Sequence, residues 1–176
     1  MLPGQTEGPV EHVVPLDGGR TLPRLLPPHP GDISDRELSL LHRETTSGDP
    51  ARGWVPAYHF TIAVAGSREP AGTLSLRLGH SEWIDRYAGH VGFAVAEPHR
   101  GHRYAARALK LVAPLAWRGG IAPLWITCNP DNLASRRTCE IAGAELVEIV
   151  ELPAGNDMFA RGERLECRYR VDSPER

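Results

Sequence analysis

The stretch "HVGFAVAEPHRGHRYAARALK", His90 to Lys110, decides how the rest of the chain is read. Its first seven residues are mostly apolar, as in a strand covered on both faces. From Gly101 onward the pattern changes to a helical one, with Tyr104, Ala108, Leu111, Val112 and Leu115 on one side and Arg103, Arg107 and Lys110 on another. A strand that turns through a glycine into a helix makes an anion site. The first helical turn has N–H groups without intrahelical partners, and the macrodipole places partial positive charge there. Gly101 lets the chain turn closely around a ligand oxygen, and Arg100 and Arg103 can add charge-assisted bonds to phosphate. The opposing reading is a solvated cationic helix face. There is no GxxxxGK[ST] and no GxGxxG, so neither a Walker loop nor a dinucleotide fingerprint is present.

The surrounding chain sets the frame for that loop. Its 176 residues suit one domain with a real core. The net charge of -2 gives no global reason to expect nucleic acid or membrane as a partner, so any recognition of charge is local. The start "MLPGQTEGPV" lacks the basic and apolar regions of a signal peptide, and no apolar run approaches the length of a membrane span. Three cysteines without CxxC or HExxH point away from a disulfide framework or a zinc site, and toward a reducing, cytoplasmic setting with no bound metal.

Residues 1–10 read as disordered, 11–172 as a single domain and 173–176 as a frayed end. "LPRLLPPHPGD" reads as an edge strand or extended segment. "SDRELSLLHRE" reads as a short helix, with Ser34 and Glu37 as a capping box. Two alternating strands, Tyr58 to Ala65 and Gly72 to Gly79, form a hairpin around "GSREPA". After the central strand and helix, Pro114 should kink the helix or end it early. "LWITC" is a buried strand. "NPDNLASRRTCEIAG" is a second helix, with Asn129 or Asp131 as N-cap candidates and Gly143 past its end. "AELVEIVEL" and "ERLECRYRV" are closing strands. The order implies an α/β fold: one mixed, mostly antiparallel twisted sheet of about six to seven strands with helices on both faces.

On these residues the chain resembles the GNAT superfamily of N-acetyltransferases. "VAEPHRGHRYAARAL" is similar to the family's acyl-CoA loop, R/Q-x-x-G-x-G/A, with Arg100 and Ala105 at its first and last positions and Val95 at the strand end. Two departures are visible: Arg103 replaces the middle glycine, which a residue of helical conformation can do, and the proline is displaced to Pro98. "NPDNLASRRTCEIAGAELV" resembles the family's following helix, with Asn132, Ser135, Glu140 and Gly143 in register.

The resemblance implies acetyl-CoA as cosubstrate and an amine of a small molecule or peptide as acceptor. Backbone N–H groups from Gly101, His102, Arg103, Tyr104 and Ala105 would hold the pyrophosphate, with Arg100 beside them. Phe93, Ala94 and Val95 would pair with the pantetheine arm as an added strand does, and polarise the thioester carbonyl. Asn132 would touch the cofactor arm, and Arg136 or Arg137 a phosphate. Many relatives place a proton-donating tyrosine four residues before the motif glycine. Here that position is Cys139, either a thiol donor or a small packing residue. For the base, the candidates are His90, Glu82, His80 and Glu97. Trp54, Tyr58, His59, Trp83 and Tyr87 fall in segments that line the acceptor side of this fold. A non-catalytic acyl-CoA-binding module is the alternative, a monomer or homodimer in either case. A basic helix on nucleic acid is disfavoured by the acidic total.

Overall fold

The computed structural model describes residues 29–49, 54–67, 69–155 and 157–174. The expected disorder of residues 1–10 and most of the proline-rich segment lie outside them. Among these residues eight strands and three α-helices follow one another as β1 Ile33–Ser34, β2 Leu38–Thr46, β3 Ala57–Val64, β4 Gly72–Arg77, β5 Val91–Val95, α1 Tyr104–Arg118, β6 Leu124–Cys128, α2 Leu133–Ala142, β7 Glu145–Glu151, α3 Asp157–Ala160 and β8 Leu165–Val171. The fold is a mixture of antiparallel sheets and helices, as the sequence implies. The strands hydrogen-bond as two ladders, β1-β2-β3-β4-β5 and β6-β8-β7. Within each, every pair is antiparallel.

The period-two pattern explains most of these strands. Phe60 and Ile62 on β3, Leu74 and Leu76 on β4, and Leu124 and Ile126 on β6 all point into one core. Against them α1 packs Ala108, Leu109, Val112, Leu115 and Ala116. Pro114 neither ends nor shortens α1, which runs on to Arg118. Its ring lies on the exposed face, where water can take up the carbonyl that loses its N–H partner. Among the described residues no helix is long and apolar enough to cross a membrane.

The segment read as a helix from Ser34 is instead the end of β1, a turn and then β2. Asp35, not Ser34, organises it: Asp35 Oδ1 accepts from the N–H groups of Glu37 and Leu38, both at 2.8 Å. Leu38 and Leu40 then alternate into the core while Leu41 stays exposed. A strand face with period two thus outweighs the local capping signal, because β3 offers it a ladder of partners.

Between β5 and β6 the two ladders part. His90, just before β5, donates its N–H to Trp125 O at 2.7 Å, and the Trp125 N–H returns to His90 Nδ1 at 3.0 Å. Beyond that contact no ladder joins the two strands. Among the described residues the β5 edge that faces β6 is therefore left without strand partners along Phe93, Ala94 and Val95. The other edge of β5 is paired to β4, Phe93 opposite Leu74 and Val95 opposite Gly72.

Candidate functional site

The loop that leaves β5 is wound by its own short-range bonds. A 3₁₀ turn covers Glu97–His99, with the His99 N–H on Ala96 O at 2.9 Å and the Arg100 N–H on Glu97 O at 3.2 Å. Arg100 folds back so that Nε donates to Val95 O at 3.2 Å. His102 donates from Nδ1 to Arg100 O at 2.9 Å and stacks its ring on Tyr104, with centroids 5.3 Å apart. Gly101 has φ +81°, and a Cβ built there meets nothing within 4 Å, so the inside of the turn is open.

Arg103 is the N-cap of α1 and takes the left-handed conformation, φ 61°, ψ 21°. It is the sole non-glycine residue with positive φ among the described residues. The family's glycine position thus keeps a glycine-like backbone with an arginine on it, left-handed rather than right-handed, which costs about 1 kcal/mol. Among the described residues no side chain caps the helix. The first intrahelical bond runs from the Arg107 N–H to Arg103 O at 3.1 Å, so the N–H groups of Tyr104, Ala105 and Ala106 precede the helix's own ladder. A guanidinium cannot accept from them, whereas the usual Ser, Thr, Asp or Asn cap would. Three donors therefore stand at the positive end of a 15-residue helix, directly after Gly101 and the exposed Arg100, His102 and Arg103 in the chain.

The basic cluster is smaller than it reads in the sequence. Arg107 turns away and binds Asp35 through Nη2 at 2.9 Å to both carboxylate oxygens, and Glu37 through Nη1. On α2, Asn132 is the N-cap, accepting from the Ser135 N–H at 3.0 Å. Arg137 is exposed and pairs with Glu140 at 3.0 Å. Arg136 reaches Pro130 O at 3.3 Å and the Tyr169 hydroxyl at 3.4 Å.

Cys139 is fully buried, beside the buried Cys128 and Cys167. Its contact with the Cys128 thiol, and then burial, hold its own thiol well above the ordinary range. Tyr58 is likewise core rather than cleft, its hydroxyl pushed up to about 12 by burial. Trp54 is exposed, and Glu82 is exposed. His59 Nε2 lies 3.1 Å from Thr46 Oγ1. Trp83 and Tyr87 pack as a tilted pair at 5.4 Å.

A second cluster gathers where β5 and β6 meet. The chain after β4 makes a π-helical turn, Ile84–Ala88, and closes through Gly89. Gly89 has φ +65°, and a Cβ there would come within 3.0 to 3.1 Å of the backbone of Trp125, Ile126 and Thr127, so only glycine lets the turn lie this close to β6. The turn brings His80, Asp85 and His90 together. His80 Nδ1 is 2.9 Å from Asp85 Oδ1, His90 Nε2 is 3.4 Å from the same oxygen, and the two rings meet edge to face at 4.9 Å. The His90 contact is electrostatic, since Nε2 is not aligned for a hydrogen bond. His90 is fully buried, and its imidazole is brought down to about 4, first by burial and then by His80.

These three groups have ligand atoms close enough to surround an ion. The tautomers argue otherwise. Trp125 N–H donates to His90 Nδ1, so the neutral ring carries its proton on Nε2 and has no lone pair for a metal there. Sequence reading treats His80 and His90 as separate candidates for one role and passes over Asp85. The regular His80, Asp85, His90 spacing was the available signal.

A family model described as the acetyltransferase (GNAT) domain matches residues 22–145, more than half of the chain. A GNAT-family structure from Chromobacterium violaceum superposes with a TM-score of 0.60 at 14% identity, covering 94% of this chain and 97% of that one. The ribosomal-protein-S5-alanine acetyltransferase of Vibrio fischeri gives 0.52 at 15% identity over 68% of this chain and 63% of that one. A microcin C7 self-immunity acetyltransferase in complex with acetyl-CoA and AMP gives 0.51 at 17% identity over 66% and 61%. Among curated proteins, nicotinate phosphoribosyltransferase of Bos taurus is 32% identical over 83 residues. That segment is 41% of this chain, and the chain spans 15% of that protein's length.

Proposed function

This chain belongs to the GNAT acetyltransferase family, and on that premise we propose that it moves an acetyl group from acetyl-CoA to an amine of a small molecule or peptide, by direct attack while both are bound. The observation that carries the reading is the uncapped N-terminus of α1, opening on the positive-φ turn at Gly101 and Arg103. A helix end with free donors, no acceptor side chain and flanking arginines suits a pyrophosphate. Gly101, His102, Arg103, Tyr104 and Ala105 supply the cradle. Arg100, tied to Val95 O through Nε, keeps its terminal nitrogens for the phosphates.

The β5 edge at Phe93, Ala94 and Val95 takes the pantetheine arm, as a sheet edge takes an added strand. One of its N–H groups polarises the thioester carbonyl and stabilises the oxyanion that forms on attack. Asn132, the exposed N-cap of α2, contacts the cofactor arm, and the exposed Arg137 in the middle of that helix takes a phosphate. Cys139 acts in packing, since a buried, raised thiol offers no proton to a leaving group in solution contact. The departing thiolate takes its proton from the amine it has just acylated. Glu82 is exposed, in the segment between β4 and β5.

Turnover tests the reading. With acetyl-CoA and a panel of small primary amines and short peptides, CoA release rises with at least one amine. Saturable acetyl-CoA binding with no release on any amine would instead support a non-catalytic acyl-CoA-binding module.

A further inference from the structure

Amines are protonated near neutral pH, so attack on a thioester needs a group to take one proton first. We propose that His80 is that proton acceptor, with Asp85 and His90 as the residues that position it. The proposal rests on the acetyl-transfer reading above.

The geometry separates the two histidines by what each has left to offer. His90 has neither ring nitrogen free for a substrate: Nδ1 takes the Trp125 N–H and Nε2 faces Asp85 inside the core. Its ring is neutral near pH 7 and too weak a base for an ammonium. His80 is different. Its Nδ1 meets a carboxylate oxygen at 2.9 Å, so Nδ1 carries the proton and donates. The neutral ring then holds its lone pair on Nε2. The side chain keeps 22% of its surface exposed, whereas the His90 side chain keeps none, so of the two histidines only His80 stands between core and solvent.

Asp85 is held so that it can serve in this way. Its backbone carbonyl accepts from Arg168 Nε at 3.1 Å and Nη2 at 2.7 Å. Arg168 comes from β8, pairs with Glu148 of β7 and lies over the Trp125 ring at 4.1 Å. From β4, Arg77 Nη1 donates to Ala88 O at 3.2 Å and Gly89 O at 3.0 Å. Two arginines thus grip the turn by its carbonyls and leave the carboxylate to the histidines. The charged groups facing the cluster are these: Arg77 from β4, Arg168 and its partner Glu148 from the second sheet, and Asp85 itself. A carboxylate on Nδ1–H fixes the tautomer and stabilises the imidazolium that forms when Nε2 takes a proton.

The cluster stands at the closed end of the gap between β5 and β6, where His90 and Trp125 bond the two strands. The unpaired β5 edge begins three residues on, at Phe93. The ammonium gives one proton to His80 Nε2, directly or through one water. The neutral amine attacks the acetyl carbon, forming C–N. The tetrahedral adduct collapses with loss of C–S, and its second N–H proton goes to the CoA thiolate. The His80 proton then leaves to solvent.

The test is CoA release from acetyl-CoA, using the fastest amine of the panel, followed from pH 5.5 to pH 9 in the full chain. H80Q is expected to lower kcat/KM by about a hundredfold or more and to abolish the fall in rate on the acid side. Acetyl-CoA affinity, measured by calorimetry, should stay within about twofold. H80A should regain activity with added imidazole, which a structural role would not produce. D85N should lower kcat by about tenfold with little change in KM. If the natural protein turns over and H80Q keeps kcat/KM within about threefold with its acid limb unchanged, His80 is not the acceptor and acetyl transfer stands. If the natural protein binds acetyl-CoA but releases no CoA with any amine, the acetyl-transfer reading fails and this assignment falls with it.

Discussion

Replacing His90 by asparagine should flatten the acid side of the protein's stability curve. The imidazole is fully buried, and its folded-state value of about 4 lies below its ordinary 6.5, chiefly through burial. A histidine lowered on folding stays neutral in the native protein while the unfolded chain takes up a proton. Its contribution is therefore complete above pH 6.5 and is lost as the pH falls toward about 4. At about 1.4 kcal/mol per pH unit, the gap from 6.5 to about 4 comes to about 3 kcal/mol. Asparagine offers an oxygen near the place of Nδ1, so the Trp125 N–H keeps an acceptor and the variant has a fold to measure. Urea unfolding, followed by tryptophan fluorescence between pH 7 and pH 4.5, gives the stability of both proteins. Other titrating groups are common to the two and largely cancel in the difference. The natural protein should lose about 2 to 3 kcal/mol more than H90N over that range. Equal losses, within about 0.5 kcal/mol, would mean that His90 is not held neutral and that the burial argument is wrong.

Two further changes separate structural from chemical roles. C139A should cost about 1 kcal/mol of stability through lost core contact and leave kcat within about twofold; a hundredfold fall would return Cys139 to the chemistry. N132A removes the cap that accepts the Ser135 N–H and should lower the unfolding free energy by about 1 kcal/mol, seen as a lower Tm; an unchanged Tm would show that the cap is replaced by water.

Much of this molecule can be read from its residues. Alternation in "YHFTIAVA" and "GTLSLRLG" places β3 and β4 within a residue or two, and Gly143 ends α2 in the left-handed conformation expected of a C-terminal glycine. The passage from β5 into α1 is legible because its signal is local: a strand, a glycine and a helix within one stretch. What escapes depends on distant partners. β2 carries a capping box and leucines that fit a helix, and only the neighbouring β3 makes it a strand. Arg107 belongs to the basic stretch in sequence, yet its partners Asp35 and Glu37 lie about 70 residues earlier. Asp85 gains its meaning from Arg168, 83 residues away, and from a turn that Gly89 alone allows against β6. The parting of the sheet between β5 and β6 is a property of two ladders together, and no single strand announces it.

The central claim is that the uncapped start of α1 holds acetyl-CoA. Calorimetric titration of acetyl-CoA into the natural protein and into R103D tests it most directly. Aspartate is at home both in the left-handed region and near a helix N-terminus, so the variant should fold at least as stably as the natural protein. The natural protein should bind acetyl-CoA saturably and one to one, and R103D should bind it with an affinity lower by about tenfold or more, about 1.4 kcal/mol. Affinity within about threefold of the natural protein in a folded R103D, or no saturable binding by the natural protein at all, would contradict it.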